Sequence, residues 1–272
     1  DGFVDYVGGN SEDGSLLLFY GNSEGTFLGS PLKLNLPPLQ GLHAITAGDI
    51  DGDNDLDLFI GQWKAPYLGG AMPTPYYDAN DGYSDYLLRN DGNNNFIDIT
   101  KQSGLEKKRN RRTFSASLVD LNFDNHPDLV VVADFSGLDL YINDGKGNFT
   151  VSDQVPMVPS PKEFSSRKVF KQKIKMETNQ YNSYCARSVL IDLNEDGMMD
   201  VFCDAPPQST HNGWFFLNKG NLVFEKISPY KAWKKGWADY YTHEYDVPNR
   251  KFDGFFDSDL METHWFYKRN FK

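Results

Sequence analysis

Residues 49–57 read Asp49-Ile-Asp51-Gly-Asp53-Asn-Asp55-Leu-Asp57, and the apolar segment Leu58-Phe59-Ile60-Gly61 follows directly. The same nine-residue pattern returns at 120–128 and 192–200, and the chain opens inside a further copy that ends at Asp5. Aspartate or asparagine occupies positions 1, 3 and 5 of each complete copy, and aspartate occupies position 9 of every copy. Ca2+ takes about six to eight oxygen ligands of this kind. The repetition therefore predicts a repeat protein built around calcium loops.

The predicted calcium ligands are the side chains at positions 1, 3, 5 and 9, together with the backbone carbonyl at position 7, where the side chain varies freely. Position 6 is always glycine or asparagine, which adopt positive φ at low cost, so we expect the loop to bend there. At position 7, we expect the side chain of Asp55 to be solvated. The three complete sites and the truncated fourth comprise Asp49, Asp51, Asp53, Asp55, Asp57; Asp120, Asn122, Asp124, His126, Asp128; Asp192, Asn194, Asp196, Met198, Asp200; and Asp1, Phe3, Asp5.

Two other interpretations of the acidic loops make different predictions. An EF-hand loop requires a glutamate at its twelfth position and helices on both sides. That position holds Ile60, Val131 or Cys203, and β-branched and aromatic residues follow, so the sequence excludes an EF-hand. A solvated acidic surface loop would suit one copy, but not four copies in register. We therefore expect calcium in a structural role, because each loop gathers like charges that could not close without a cation.

A second repeated element follows each acidic loop and predicts a β-hairpin. A turn such as Asn-Asp-Gly separates two apolar segments, as at 86–96, 140–149 and 215–224, and supplies the positive φ that a tight hairpin needs. Another apolar segment precedes each loop, for example 43–47 and 188–191. One repeat therefore contains four antiparallel strands, the unit of a propeller blade. The predicted fold is all-β, a β-propeller of four-stranded blades with Ca2+-binding loops.

These motifs resemble a known repeat family. Asp-x-Asp-Gly-Asp-x-x-x-Asp followed by a strand is similar to the FG-GAP or VCBS repeat of integrin α-subunit propellers, from residue 1 to about residue 228. The phrase from Leu87 to Leu105, with Arg89-Asn90-Asp91-Gly92 at its turn, is similar to the ASPIC/UnbV group, which includes cartilage acidic proteins. The resemblance implies a calcium-stabilised propeller, often seven-bladed, usually extracellular and serving adhesion or recognition. It also implies that the loop residues named above are cation ligands.

The repeat spacing makes residues 1–272 a single propeller domain or a fragment of one. About five blades are predicted: a partial blade at 1–40 and blades at about 41–105, 112–152, 185–228 and 236–272, with insertions at 64–84 and 153–184. The last blade departs from the pattern, because Arg250 stands at position 5 of its loop. Both a closed ring of this size and a portion of a larger ring, completed by another chain or a missing segment, fit the sequence.

Composition excludes some functional classes. The net charge of −11 argues against nucleic-acid binding, and the basic run at 107–112 is expected to be a solvated loop. No stretch of 18 apolar residues occurs, so no membrane span is predicted. Cys203 is expected opposite about residue 189, too far from Cys185 for a disulfide without a bulge, which favours free thiols. The calcium loops favour an extracellular or cell-surface location, where calcium is abundant.

Aromatic residues mark a candidate ligand surface. The insertion at 64–84 is rich in aromatic residues, proline and glycine, and insertions in repeat folds often form a binding face. The candidate ligand-binding residues are Trp63, Tyr67, Tyr76, Tyr77 and Tyr83. The sequence contains no HExxH, Gly-x-Ser-x-Gly or phosphate-binding glycine motif, so no catalytic residue is predicted and an enzyme is the less favoured class. We expect a non-catalytic adhesion or binding propeller that recognises a protein or a glycan; the alternative is a carbohydrate-active module, either a lectin or the propeller of a polysaccharide lyase.

Overall fold

The computed structural model describes residues 2–74, 79–92, 95–152, 187–204, 214–227, 235–237, 255–257 and 262–264. These residues form seventeen β-strands and two short 3-10 turns, at Leu68–Gly70 and Glu106–Lys108. In this described part of the chain, no helix is long and apolar enough to cross a membrane. The prediction of an all-β fold is confirmed.

The strands form five antiparallel sheets, numbered in chain order. The first has three strands: β1 (Tyr6–Gly9), β2 (Leu16–Phe19) and β3 (Leu32–Lys33). The second contains β4 (Leu42–Gly48), β5 (Asp57–Gln62), β6 (Tyr86–Asn90) and β7 (Phe96–Asp98). The third contains β8 (Arg112–Val119), β9 (Asp128–Asp134), β10 (Gly137–Asn143) and β11 (Phe149–Val151). The fourth contains β12 (Arg187–Ile191), β13 (Asp200–Asp204), β14 (Trp214–Asn218) and β15 (Phe224–Ile227), and the fifth contains β16 (Phe255–Asp257) and β17 (Glu262–His264).

Each four-stranded sheet is a meander in which strands consecutive in the sequence pair with each other. The acidic loop connects the first strand to the second, and the Asn-containing turn connects the third strand to the fourth. Gly48 pairs with Asp57 in the second sheet and Val119 with Asp128 in the third, so the loop occupies the same place in both. The predicted four-stranded antiparallel unit is confirmed, and the number of blades in a complete ring stays a prediction.

Neighbouring sheets pack face to face. Successive side chains of a strand point to opposite faces, so an inner sheet contributes residues to the apolar clusters on both of its sides. In β5, Leu58 and Ile60 join the apolar cluster shared with the first sheet, whereas Phe59 joins the cluster shared with the third. Strand β9 alternates in the same way between the second sheet and the fourth. All residues of β5 are buried. Each buried leucine or phenylalanine stabilises the fold by about 2 kcal/mol, so these contacts hold the sheets together.

The whole of the second insertion, at 153–184, and one cysteine lie outside the described residues. Residues 153–186, which include Cys185, are not among the residues that the structure describes. Cys203 lies in β13 and pairs with Ser188 of β12, one residue from its expected neighbour. Free thiols at Cys185 and Cys203 therefore stay a prediction.

The basic run at 107–112 was expected to be solvated, and that prediction is wrong at its C-terminal end. Arg111 and Arg112 are only 2% and 1% exposed. Arg111 Nε donates to Asp139 at 3.1 Å, and Arg112 donates through two nitrogens to Asp81 at 3.0 and 2.9 Å. The Arg112 guanidinium holds the pKa of Asp81 below its usual value. The arginines are buried because these acids, 28 and 31 residues away in the sequence, meet them in the fold.

Replacing Arg112 by lysine tests how much this ion pair stabilises the insertion at 64–84. Arg112 also donates to the Lys64 carbonyl at 2.6 Å, so it contacts both ends of the insertion. Lysine keeps the charge but loses the planar fork, so we expect the free energy of unfolding to fall by about 2 kcal/mol. Urea denaturation followed by tryptophan fluorescence measures the change. Lys107→Arg, at the exposed end of the run, is the control. Equal stability of the two variants would contradict a stabilising role for the planar guanidinium of Arg112.

Candidate metal centre

The aspartate at position 9 forms the base of each acidic loop. Asp57, Asp128 and Asp200 begin the second strands of their sheets and are 0% exposed. Asp128 accepts the backbone N–H of Leu121 at 3.1 Å through Oδ2 and that of Asn143 at 3.0 Å through Oδ1. The equivalent donors are Ile50 and Asn90 for Asp57, and Leu193 and Asn218 for Asp200. Each aspartate therefore ties its loop to the end of the third strand.

These buried carboxylates carry a charge that their hydrogen bonds compensate only in part. Burial raises the pKa of Asp57, Asp128 and Asp200 to about 6, although the backbone N–H groups lower it. Other aspartates of the same loop raise the pKa further through repulsion. At neutral pH the base of each loop thus holds a buried negative charge, which a nearby cation would stabilise.

The aspartate at position 1 fixes the shape of the loop from inside. Asp49 accepts the N–H of Gly52 at 2.7 Å and that of Asn54 at 3.0 Å. Asp120 accepts from the same two loop positions, at 2.7 and 2.9 Å, and Asp192 accepts from positions 5 and 6, at 3.0 and 2.9 Å. The position-1 carboxylate therefore fixes the loop conformation by accepting hydrogen bonds from the backbone N–H groups of two later loop positions.

Two positions in each complete loop have positive φ. Position 6 was predicted to do so, and its φ is 69° at Asn54, 67° at Asn125 and 88° at Gly197. Position 4 was not predicted, because Phe123 and Glu195 occupy it in two loops, with φ of 67° and 59°. Such residues cost about 1–2 kcal/mol in this conformation. The loops at 120–128 and 192–200 therefore hold a strained backbone in place.

Three carboxylates meet in the loop at 49–57. Oxygens of Asp49, Asp51 and Asp57 all lie within 4.8 Å of one another. Asp51 Oδ1 is buried and has no hydrogen-bond partner among the described residues. Burial raises the pKa of Asp51, and repulsion from Asp53 and Asp49 adds to the rise. A buried oxygen without a donor, surrounded by other carboxylates, fits a hard cation.

The loops at 120–128 and 192–200 carry asparagine at position 3 and form different local hydrogen bonds. Asn122 Nδ2 donates to Asp124 Oδ2 at 2.8 Å, and Asn194 Nδ2 donates to Asp196 Oδ2 at 2.9 Å. The amide compensates part of the acidic charge at these loops. Both loops keep oxygen atoms at the predicted ligand positions, but each amide must present its oxygen, not its nitrogen, to a cation.

The side chain at position 7 covers the glycine of the neighbouring hairpin turn. A Cβ at Gly145 would lie 2.5 Å from the His126 ring, and a Cβ at Gly92 would lie 2.6 Å from the Asp55 carboxylate. The glycine leaves space for either side chain, which accounts for the variation at position 7. Ligation by the carbonyls of this position, Met198 included, stays a prediction.

The truncated copy at the start of the chain keeps the contact made by position 9. Asp5 Oδ1 accepts the N–H of Gly21 at 2.8 Å, the counterpart of the contact between Asp128 and Asn143. Phe3, at position 7, is 44% exposed. Asp1 lies outside the described residues, so the fourth predicted site is described only in part.

Sequence reasoning missed a second role for the asparagine that ends each third strand. It identified Asn90, Asn143 and Asn218 only as turn residues. Asn143 Oδ1 accepts the N–H of the turn residue Gly145 at 3.0 Å, while its Nδ2 donates to the carbonyl of Ile50, in the preceding acidic loop, at 2.8 Å. The recurrence of asparagine two residues before the turn glycine was the signal that this residue does more than form a turn.

The aromatic group around Trp63 lies at the opposite end of the sheets from the acidic loops, because it surrounds the start of β4 and the end of β5. The Trp63 ring stacks on Phe114 with centroids 5.5 Å apart and lies 5.7 Å from the ring of His43. Trp63 Nε1 donates to Asp134 at 3.4 Å. Burial raises the pKa of Asp134. Apolar rings and a polar group therefore adjoin each other there.

The structure describes three of the five predicted ligand-binding aromatic residues. Besides Trp63, Tyr67 is 49% exposed and meets Phe135 edge-on, with centroids 6.2 Å apart. Tyr83 is half-buried, and its ring centroid lies 6.0 Å from Lys64 Nζ. Tyr76 and Tyr77 lie outside the described residues.

Comparison with known proteins identifies the repeat at the start of the chain. Residues 1–60 match the family described as FG-GAP-like repeat. This segment holds the first sheet and the complete acidic loop at 49–57. The predicted FG-GAP character is therefore confirmed over these residues, while the similarity to the ASPIC/UnbV group stays a prediction. No curated protein matches the chain.

Proposed function

We propose that this protein is a non-catalytic recognition module, a calcium-stabilised β-propeller that binds a protein or a glycan through loops at one end of its sheets. The observation that carries the calcium assignment is Asp51 Oδ1, a buried carboxylate oxygen that has no hydrogen-bond donor among the described residues and lies beside two other carboxylates. The face-to-face packing of four-stranded sheets and the FG-GAP-like repeat support the propeller.

In the loop at 49–57, Asp49, Asp51 and Asp57 would hold the ion, with Asp53 beside them. Calcium supplies positive charge and flexible coordination by oxygen. The two oxygens of Asp57 already accept N–H groups, and each keeps a lone pair for a cation. The loops at 120–128 and 192–200 offer the same positions with lower charge. We include an extracellular or cell-surface location in the proposal, because calcium is abundant there and keeps such loops filled.

The ligand surface that we propose comprises Trp63 and its neighbour His43, together with the exposed Tyr67 of the insertion, at the end opposite the acidic loops. Aromatic rings beside polar groups can stack on sugar rings or anchor a protein partner. Calcium would then act at a distance, by holding the sheets that carry this surface.

Loss of Trp63 is expected to weaken ligand binding. We expect a glycan array probed with the folded chain in millimolar Ca2+ to show binding to one sugar class, and Trp63→Ala to weaken it at least about tenfold, because stacked aromatic anchors dominate binding energy. Ile97→Ala, an exposed apolar residue of β7 (39% exposed), is the control. An equal response of both variants would contradict the assignment to Trp63. Binding to no glycan would leave a protein ligand, and release of unsaturated sugar products would favour the lyase alternative.

The outer face of the first sheet supports a further contact. Tyr6, Phe19 and Phe27 form an aromatic triad with centroids 5.8 to 6.1 Å apart, and Tyr6 and Phe27 are more than half exposed. The second and third sheets bury both faces against neighbours. We propose that another sheet, from this chain or from a partner, covers the triad and extends the propeller.

A further inference from the structure

The geometry points to energetic coupling between the three complete acidic loops, with Asn143 and Asn218 as the positioning residues that transmit it. This inference rests on the proposed calcium binding. The loops belong to three different sheets, yet a continuous series of buried hydrogen bonds joins the position-9 aspartate of one loop to that of the next.

The first half of the series joins the loop at 49–57 to the third sheet. Asp57 Oδ2 accepts the N–H of Ile50 at 2.9 Å. The carbonyl of Ile50 accepts Asn143 Nδ2 at 2.8 Å and the N–H of Gly147 at 3.0 Å. Ile50 is therefore fixed on one side by its own loop and on the other by the neighbouring sheet.

The second half repeats the arrangement one sheet further on. The N–H of Asn143 donates to Asp128 Oδ1 at 3.0 Å, and Asp128 Oδ2 accepts from Leu121 at 3.1 Å. The carbonyl of Leu121 accepts Asn218 Nδ2 at 2.9 Å, and the N–H of Asn218 donates to Asp200 Oδ1 at 2.8 Å. The series thus connects the base of all three loops.

Burial makes these bonds costly to break. Asn143 is 2% exposed and Asn218, Ile50 and Leu121 are 0% exposed, so an unpaired amide or carbonyl there would lose its partner without gaining water. A cation that orders the loop at 49–57 fixes the Ile50 carbonyl, and this positions Asn143 and, through its N–H, Asp128. Ordering one loop therefore reduces the entropy that the next loop loses when it binds, which gives positive coupling.

Asn90 provides an internal comparison. It occupies the same place at the end of β6, and its N–H donates to Asp57 at 2.9 Å. Its Nδ2 lies 3.5 Å from the carbonyl of Leu56, in its own sheet. Within the described residues, its amide makes no bond to the acidic loop of another sheet, so its side chain cannot couple two of the complete loops.

The test measures the calcium response of one loop while another is disabled. Hydrogen exchange of a peptide that spans 120–128, recorded against Ca2+ concentration in the full chain, gives a midpoint for that loop alone. Asp51→Ala, which disables the loop at 49–57, is expected to raise this midpoint about fivefold. In an Asn143→Ala background, Asp51→Ala is expected to leave the midpoint unchanged. In an Asn90→Ala background, the fivefold shift is expected to persist.

The outcomes separate this inference from the proposed function. If Asp51→Ala does not change the Ca2+ midpoint of the loop at 120–128, the proposed coupling is wrong, while the proposed calcium binding stands. A chain whose exchange never responds to Ca2+ overturns the proposed calcium binding itself. If Asn143→Ala does not fold, Asn218→Ala replaces it. The Ca2+ midpoint is then measured for the loop at 192–200, and Asp124→Ala disables the loop at 120–128. If Asp124→Ala still shifts this midpoint in the Asn218→Ala background, the inference is wrong.

Discussion

Asp128→Ala is expected to lower the free energy of unfolding by about 3 kcal/mol in the absence of calcium. The substitution leaves the N–H groups of Leu121 and Asn143 without an acceptor in a site that is 0% exposed. Each unsatisfied buried donor costs about 1–3 kcal/mol. Removing a buried carboxylate whose pKa is raised to about 6 offsets part of that loss. Urea denaturation in EDTA measures the difference.

Asp124→Ala, in the same loop, is the matched control. Its carboxylate accepts an N–H from His126 and an amide hydrogen from Asn122 on the exposed side of the loop. Water can replace those donors, so we expect a loss below about 1 kcal/mol. If both variants lose the same free energy, position 9 has no special structural role and the description of the loop base is wrong.

Calcium is expected to raise the melting temperature by at least about 8 °C over the value in EDTA. A site filled at about a thousand times its dissociation constant stabilises the folded state by about 4 kcal/mol. For a chain of this length, about 1 kcal/mol shifts the melting temperature by about 2 °C. Scanning calorimetry in EDTA and in millimolar Ca2+ gives the comparison.

Two controls make this experiment specific. Mg2+ at the same concentration is expected to raise the melting temperature much less, because it requires a smaller, octahedral set of ligands and retains its water. Asp51→Ala is expected to remove a large part of the calcium effect while the protein still folds in EDTA. Identical melting temperatures in EDTA and in calcium would contradict the calcium assignment.

Local pattern was enough to predict the repeated sheet, but not the contacts between repeats. Apolar segments such as 58–60 predicted strands, and glycine or asparagine at position 6 predicted the bend with positive φ. The bend at position 4 could not be predicted from Phe123 or Glu195, because side chains of this size rarely adopt positive φ. At Phe123 the N–H donates to the position-1 aspartate, a contact that the loop motif does not reveal.

Contacts distant in sequence account for the other differences. Asp57, Asp128 and Asp200 were predicted as ligands from their spacing, yet one backbone donor of each lies at the end of another strand and is not visible in a loop motif. Arg112 looked solvated because the run around it is basic, while its partner Asp81 lies 31 residues earlier. The bond from Asn143 to Ile50 spans 93 residues. Charge composition and local motifs do not contain such information.

The most direct test of calcium binding by Asp49, Asp51 and Asp57 is a crystal structure from crystals grown in millimolar Ca2+. Anomalous data are collected at a wavelength at which calcium has a measurable anomalous signal. We predict an anomalous peak about 2.3–2.6 Å from Asp51 Oδ1 and from an oxygen of Asp49 and of Asp57. An Asp51 Oδ1 that binds only water or a protein donor, with no anomalous peak in the loop at 49–57, would contradict it.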